Sequence, residues 1–262
     1  ATLPDNRRLL VFDDISEIVS AQRAQAWGEV ARRLAHEIKN PLTPIQLSAE
    51  RLEIKLGNKL EGQDQAILKK SVTTIVDQVD AMKRLVNEFR DYARLPAAEL
   101  QSIDLNALVM DVLHLYGAEN AVVPVEAELD SAAPRIMGDA QQLRQVIHNL
   151  LQNAQDATQQ AWVGKEASAP AVRISTRFSG NSKRVRLTIA DCGCGFPEHI
   201  LQKAFEPYVT TKPRGTGLGL AVVKKIADEH GARVEISNRV EGEKILGAQV
   251  SLSFSIEKEL MI

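Results

Sequence analysis

The stretch "RRLAHEIKNPLTPIQ" sets an imidazole, a carboxylate and a carboxamide close together as His36, Glu37 and Asn40, and follows them with Pro41 and Pro44. A helix turns about 100° per residue, which puts Leu34 and Ile38 on one apolar side, His36 about 180° from their mean direction, and Asn40 within about 40° of His36. The three polar groups therefore share an accessible face. An accessible imidazole is a serviceable nucleophile, and a neighbouring carboxylate can accept or orient its ring proton. Three readings compete: a surface histidine with no role, a zinc ligand, and a phosphoacceptor. Zinc binding of the H-E-x-x-H kind needs a second histidine where Asn40 stands. A phosphoacceptor needs a phosphate donor elsewhere in the chain.

Further along, "LRQVIHNLLQNAQDA" spaces Asn149 and Asn153 by one helical turn, with Asp156 following. Side-chain carboxamides at that spacing can reach a magnesium ion and phosphates together. "DCGCGF" closes a strand with Asp191, then Gly193 and Gly195, which permit close backbone approach to a ligand. "GTGLGLAVVKKI" places Gly215, Gly217 and Gly219 at the start of a helix, where free amides attract phosphate. The spacing is G-x-G-x-G and not the G-x-G-x-x-G of dinucleotide folds, so the cluster gains its meaning from the order of all these motifs.

Two long helices must position the first constellation. Apolar residues recur through Trp27, Ala31, Leu34, Ile38, Leu42, Ile45, Ala49, Leu52 and Leu56, with one irregular step between Ile38 and Leu42, at Pro41. A second series runs Leu68, Val72, Ile75, Val79, Met82, Val86, Phe89 and Ala93 without a fault, and Leu95-Pro96 ends it. Asn58 to Gln63 reads as the turn between them. A two-helix hairpin cannot enclose its own apolar stripe, whereas two hairpins can, as a four-helix bundle. The pattern predicts a dimer; cover from the second domain is the alternative. Pro41 crowds the carbonyl of Glu37 and withdraws its donor, so a bend is expected below His36, either fixed or bistable.

After Pro96 the grammar changes to an α/β sandwich. Helices are expected over 104–117, 139–160 and 217–230, with strands at "VVPVEAEL", "AVRISTRF", "RVRLTIAD", "RVEISN" and "AQVSLSFSI". The segment from Cys192 to Gly217 has little periodicity and reads as a functional loop or lid. "RLLVFD", residues 8–13, looks like one isolated strand.

A net charge of -2 gives no bulk attraction to nucleic acid or anionic membrane, and 44% hydrophobic with 25% charged residues is ordinary for a globular protein. No apolar run approaches the roughly 20 residues that span a bilayer. The chain begins with Ala1, and its first strand has no evident partner, which reads as a piece of something longer whose remainder can carry a membrane segment. Cys192 and Cys194, one residue apart, leave little room for a disulfide and read as reduced thiols.

Taken together, "HEIKNP", "HNLLQNA", "DCGCGF", "FEPYVTT" and "GTGLGL" resemble the H, N, G1, F and G2 boxes of dimeric sensor histidine kinases, in order, over about residues 20 to 256. "RRLAHEIKNPLTPIQLSAERL" and "FEPYVTTKPRGTGLGLAVVKKI" further resemble the NtrY-like branch of nitrogen-regulatory kinases, and "VFDDIS" looks like the exit of a PAS sensor domain. The resemblance implies a multidomain chain. Residues 1–15 would be a sensor remnant and linker, 16–96 an α-helical dimerisation and phosphotransfer hairpin, and 97–262 an ATP-binding α/β sandwich of the Bergerat kind.

By that resemblance His36 would take the γ-phosphoryl group of ATP, Glu37 would act as base or orienting carboxylate, and Asn40 would position water for the reverse phosphatase activity. Asn153 would hold Mg2+ with Asn149 beside it and Asp156 following. Asp191 would select adenine, and Gly193 and Gly195 would shape its pocket. Gly215, Gly217 and Gly219 would close over the phosphates with Thr216 and Leu218 between them. Thr210, Thr211 and Lys212 lie in the lid, where Lys212 can neutralise phosphate charge. The family commonly has Asn where Cys192 stands, and the thiols there suggest sensitivity of ATP binding to oxidation. The implied partners are a second copy of the chain and a response regulator receiver domain, NtrX-like if the branch holds, with no nucleic acid and no direct membrane contact. The implied location is cytoplasmic, with a parent anchored in the inner membrane. An ATPase of the wider group sharing the sandwich and a degenerate dimeric scaffold are the competing functions.

Overall fold

The computed structural model describes residues 16–93, 95–116, 123–163, 170–212, 215–242 and 244–256. The strand expected at 8–13, the "VFDDIS" exit before Ser16, and the side chains of Trp27 and Ala31 lie outside the residues so described. The chain divides into two compact units, one ending at Leu95 and the other starting at Pro96.

The first unit is a helical hairpin of α1 (Ser16–Leu56) and α2 (Gly62–Ala93). Helix α1 runs without interruption through Pro41 and Pro44. Each proline lacks the N–H that would serve the carbonyl four residues earlier, so the carbonyls of Glu37 and Asn40 are left to water. Both prolines are exposed, which makes that substitution cheap. The turn starts earlier than its sequence suggests: Gly57 already closes α1 with a 2.7 Å bond to the carbonyl of Glu53, and Gly62, at φ 58, opens α2.

The apolar pattern of the hairpin divides into two series. Ala35, Leu42 and Ala49 on α1, with Val72, Val79, Val86 and Ala93 on α2, are buried, each seven residues from the next. The alternate positions Ile38, Ile45, Leu52, Ile75 and Met82 are 39–54% exposed. Leu34, expected on the seam, is 42% exposed, and the small Ala35 takes its place at 2%. Through Ala35 the steps 35, 38, 42, 45, 49, 52 are regular. With Ala35 in the seam and Leu34 outside it, no irregular step remains at Pro41. Pro44, Ile45, Ser48, Ala49, Leu52 and Ile75 line an open apolar trough on this surface.

The second unit contains β1 (Gln101–Ile103), α3 (Leu105–Tyr116), β2 (Val125–Glu128), β3 (Ile136–Gly138), α4 (Ala140–Trp162), β4 (Val172–Ser179), β5 (Arg184–Ala190), the short α5 (Glu198–Leu201), α6 (Gly219–Glu229), β6 (Arg233–Glu241) and β7 (Lys244–Ser255). Five strands form one sheet in the order β2-β4-β5-β7-β6, while β1 pairs with β3 in a separate two-stranded ribbon. Only β2 and β4 run parallel within the larger sheet.

One face of that sheet makes the core. Val172, Ile174, Val185, Leu187 and Ile189 are buried and alternate with Arg173, Ser175, Arg186 and Thr188 on the other face, as a period of two requires. Helix α4 offers Leu143, Val146, Ile147, Leu150, Leu151 and Ala154, and α6 offers Val222, Val223 and Ile226. Each large side chain fully buried here stabilises the fold by roughly 1.5–3 kcal/mol. Asp139 caps α4, its Oδ1 accepting from the amides of Gln141 and Gln142 at 2.9 and 3.1 Å. Among the described residues no helix is long and apolar enough to cross a membrane.

Candidate functional site

On the hairpin, His36, Glu37 and Asn40 are all exposed. Glu37 turns its carboxylate to Arg33 Nε, 3.0 Å away and one turn earlier. Both partners are more than half exposed, and an ion pair of that kind contributes about 0–1 kcal/mol, so the carboxylate is easily released.

The second unit gathers the remaining motifs around α4. The spacing of Asn149, Asn153 and Asp156 keeps them on one side of the helix, away from the buried stripe. Lys212 reaches this side from the loop before α6: its Nζ donates to Asn153 Oδ1 at 2.9 Å and to Asp156 Oδ2 at 2.8 Å. Thr210 shapes the turn that carries the lysine, its Oγ1 accepting from the amide of Lys212 at 3.1 Å. The amide of Gly215 donates to the Lys212 carbonyl at 3.1 Å, and a Cβ on Gly215 would stand 2.5 Å from Thr210 Oγ1. Thr211 is exposed beside them.

Gly217 needs to be glycine on two counts. Its φ is 71°, and a Cβ would fall 2.5–2.7 Å from the backbone of Tyr208 and Val209. Thr216 Oγ1 accepts from the amide of Leu218 at 3.3 Å, and Leu218 is buried. Helix α6 then starts with no side-chain cap and no acidic residue in its first turn. A Cβ on Gly219 would lie 3.4 Å from Asn153 Nδ2, so the helix start and Asn153 are neighbours. Open amides, the positive end of a helix dipole and a lysine together suit a chain of phosphates.

Asp191 lies where β5 ends. Its Oδ1 accepts from the amides of Gly193 at 2.8 Å and Ala248 at 2.9 Å. Burial pushes its carboxyl above the ordinary carboxylate range, and the amides of Ala248 and Gly193 and the charges of Arg239 and Lys212 hold it back only in part. Both of these bonds use Oδ1, which leaves Oδ2 as an acceptor for a donor such as an amino group. Gly193 packs against α4, where a Cβ would meet Ala157 Cβ at 2.9 Å. Gly195, at φ 74, allows Phe196 to exchange two 2.8 Å hydrogen bonds with the carboxamide of Asn238.

Several supports of Asp191 escaped the sequence. Arg239 donates to its carbonyl at 2.8 Å, and Gly247 leaves no room for a Cβ beside that carbonyl. The isolated glycine inside a strand pattern was the available signal. Cys192 is half-buried, its amide bonded to Thr158 Oγ1 at 3.0 Å and its Sγ 3.9 Å from Arg239. Cys194 is exposed.

Asn153 Oδ1 and Asp156 Oδ2 fit Mg2+ in chemistry, since both are hard oxygens already gathered around a cationic group, the Lys212 ammonium. Among the described residues no group of three His, Cys, Asp or Glu side chains could hold a metal ion alone. Such a site would need phosphate oxygens to complete it, as Mg2+ sites in phosphoryl-transfer proteins usually do.

Residues 26–98 match the His Kinase A (phospho-acceptor) domain, and residues 138–258 match the histidine kinase-, DNA gyrase B-, and HSP90-like ATPase domain. The chain is 40% identical over 253 residues to nitrogen regulation protein NtrY of Azorhizobium caulinodans, covering 95% of this chain and 31% of that protein. It is 35% identical over 242 residues to a putative NtrY-like sensor histidine kinase of Rickettsia bellii, covering 92% of this chain and 37% of that one. The chain thus spans well under half the length of these relatives. Among solved structures it resembles full-length ShkA in complex with AMPPNP, with a TM-score of 0.61 and 27% identity over 87% of this chain and 46% of that one. It also resembles histidine kinase ThkA in complex with response regulator protein TrrA, with a TM-score of 0.61 and 25% identity over 95% of this chain and 69% of that one.

Proposed function

Because this chain belongs to the sensor histidine kinases, we propose that it moves the γ-phosphoryl group of ATP to His36 and from there to an aspartate of a response regulator receiver domain, and that it also hydrolyses the regulator's aspartyl phosphate. The observation that carries the reading is the meeting of the half-satisfied Asp191 carboxyl with Lys212, Asn153 and the start of α6, which has no side-chain cap, in a chain whose hairpin exposes His36.

The chemistry follows from these groups. Asp191 Oδ2 accepts from the adenine amino group and disfavours guanine, whose corresponding position is a carbonyl. Asn153 and Asp156 offer oxygens to Mg2+, which would supply charge neutralisation on the phosphates when bound. The amides of α6 and Lys212 hold the terminal phosphates in place. A ring nitrogen of His36 attacks the γ-phosphorus, the bond to the β–γ bridging oxygen breaks, and ADP leaves. Glu37, once free of Arg33, accepts or orients the ring proton. Positioning and charge stabilisation account for most of the acceleration in phosphoryl transfer.

We assign residues 16–96 to the dimerisation and phosphotransfer hairpin and 97–262 to the catalytic domain. The exposed series Ile38, Ile45, Leu52, Ile75 and Met82 supports pairing of two hairpins into a four-helix bundle. The likeness to NtrY makes an NtrX-like receiver domain the first regulator to try, and a cytoplasmic domain of a membrane-anchored parent the natural setting. The test is incubation with γ-labelled ATP and Mg2+. Acid-labile, base-stable label on the chain, lost in His36→Gln with nucleotide affinity kept within about twofold, is the expected result. Free phosphate without labelled protein would instead favour an ATPase, and neither product would favour a scaffold.

A further inference from the structure

Lys212 pairs with the two side-chain oxygens that, on the nucleotide-binding reading, would hold the metal. Its ammonium lies 2.9 Å from Asn153 Oδ1 and 2.8 Å from Asp156 Oδ2, bridging two acceptor oxygens on neighbouring turns of α4. The lysine is not a loose surface side chain: it is 30% exposed, its amide is tied to Thr210, and its carbonyl is tied to Gly215. A divalent ion held by Asn153 Oδ1 would stand against the ammonium that donates to the same oxygen. Two cations held around one carboxamide oxygen would also repel strongly.

We propose that Lys212 is a tethered stand-in for the metal, so that the nucleotide-free chain refuses free divalent cations and admits them only together with nucleotide. The proposal rests on the nucleotide-binding reading of the same site. When metal and nucleotide arrive together, the ammonium gives up Asn153 and Asp156 and moves onto phosphate oxygen, which replaces the anionic partner it has lost. Without phosphate, displacement leaves a lysine beside a dication with nothing to pair it. Lys212 thereby couples the two ligands. Coupling of this kind is reciprocal, so nucleotide raises metal affinity by the same factor as metal raises nucleotide affinity. Asp156 serves both occupants in turn, and Gly215 keeps the turn tight enough for the lysine to reach.

The test is binding of Mn2+ to the full chain, read from the paramagnetic signal of the free ion, with and without AMPPNP. The wild type should take up Mn2+ weakly alone and much more tightly with AMPPNP. Lys212→Met keeps the length of the side chain and removes the charge. It should gain Mn2+ affinity in the absence of nucleotide by about tenfold, and the ratio of affinities with and without AMPPNP should fall by about as much. Lys212→Gln should behave alike, and adding Asp156→Asn to either should abolish the gain. Unchanged nucleotide-free Mn2+ affinity in both lysine variants would overturn the proposal. A wild type that binds no AMPPNP would instead refute the nucleotide reading, and the nucleotide-free comparison would still decide the role of Lys212.

Discussion

The amide of Asp139 donates to Nε2 of His230 at 2.9 Å, while Nδ1 of the same ring meets the carbonyl oxygen of Ile226 at 2.8 Å. Nε2 must accept, so Nδ1 carries the proton and the tautomer is fixed. His230 is the C-cap of α6 and Asp139 the N-cap of α4, so one buried ring clips together the ends of the two helices that carry Gly219 and Asn153. The cap is itself ionised with ease. Partial burial works against the Asp139 carboxylate, but the amides of Gln142, Glu99 and Gln141 hold its carboxyl below the ordinary range.

His230→Phe tests the clip. The ring area survives, as does the edge-on contact with Phe254 at 6.5 Å between centroids, but the Asp139 amide loses its acceptor. An unsatisfied buried donor costs about 1–3 kcal/mol. The urea midpoint should fall accordingly, and nucleotide affinity should fall with it through misplacement of α4 against α6. A variant as stable as the parent would show that water or a shifted carbonyl replaces the ring.

Asp191→Asn should separate stability from binding. Burial raises the folded-state pKa of Asp191, so the protonated form favours the fold. Its contribution is fully present below the ordinary carboxylate pKa and is lost as pH rises through the raised value. At neutral pH the ionised side chain therefore costs stability, and the carboxamide should raise the urea midpoint there, with the advantage vanishing in acid. Its Oδ1 can still serve Gly193 and Ala248, but an amino group now faces adenine. Losing a hydrogen bond to a charged acceptor, worth about 1.5–3 kcal/mol, predicts at least about a tenfold loss of ATP affinity. Calorimetric titration checks the second part, and a variant that binds ATP at parental strength would remove Asp191 from the adenine site.

Helix periodicity explains what could be read in advance. Residues four and three apart stand on one side of any helix, so the grouping of Asn149, Asn153 and Asp156 followed from spacing alone. The alternation in β4 and β5 was equally plain. Asn238, Arg239 and Ala248 support Phe196 and Asp191 from strands 42 to 57 residues away in sequence, and no local pattern encodes such pairings. Strands β1 and β3 are three residues each, too short to display a period of two. On the hairpin, size misled: Leu34 looked like the core residue, but heptad spacing from Leu42 and Ala49 selects Ala35.

The split seam makes a prediction about assembly. Ile45 is 46% exposed on the open series, whereas Leu47, at 59%, lies about 200° further round the helix. Ile45→Glu should convert a dimer to a monomer in sedimentation velocity and reduce helical content, because it places a charge at the centre of the bundle. Leu47→Glu, on the outer face, should leave the dimer intact. Equal behaviour of the two variants would mean that the open series is not the contact.

Asn40 separates the two activities of the hairpin. Its side chain is exposed one turn after His36, and among the described residues it has no hydrogen-bond partner. Its carbonyl already lacks a helical donor, because residue 44 is proline. The carboxamide therefore has no structural task that its removal would disturb, and Ala is the better helix former. A carboxamide beside a phosphoacceptor can hold water in line with an aspartyl phosphate docked over His36, which is the kind of positioning that dominates phosphoryl transfer. It plays no part in making the imidazole nucleophilic. Asn40→Ala should therefore keep its autophosphorylation rate within about twofold while dephosphorylation of the regulator falls at least about tenfold. Both rates are measured on one preparation, with circular dichroism confirming unchanged helix content. If both activities fell together, Asn40 would be serving the geometry of the helix around Pro41, and an unchanged phosphatase rate would assign the water to another group.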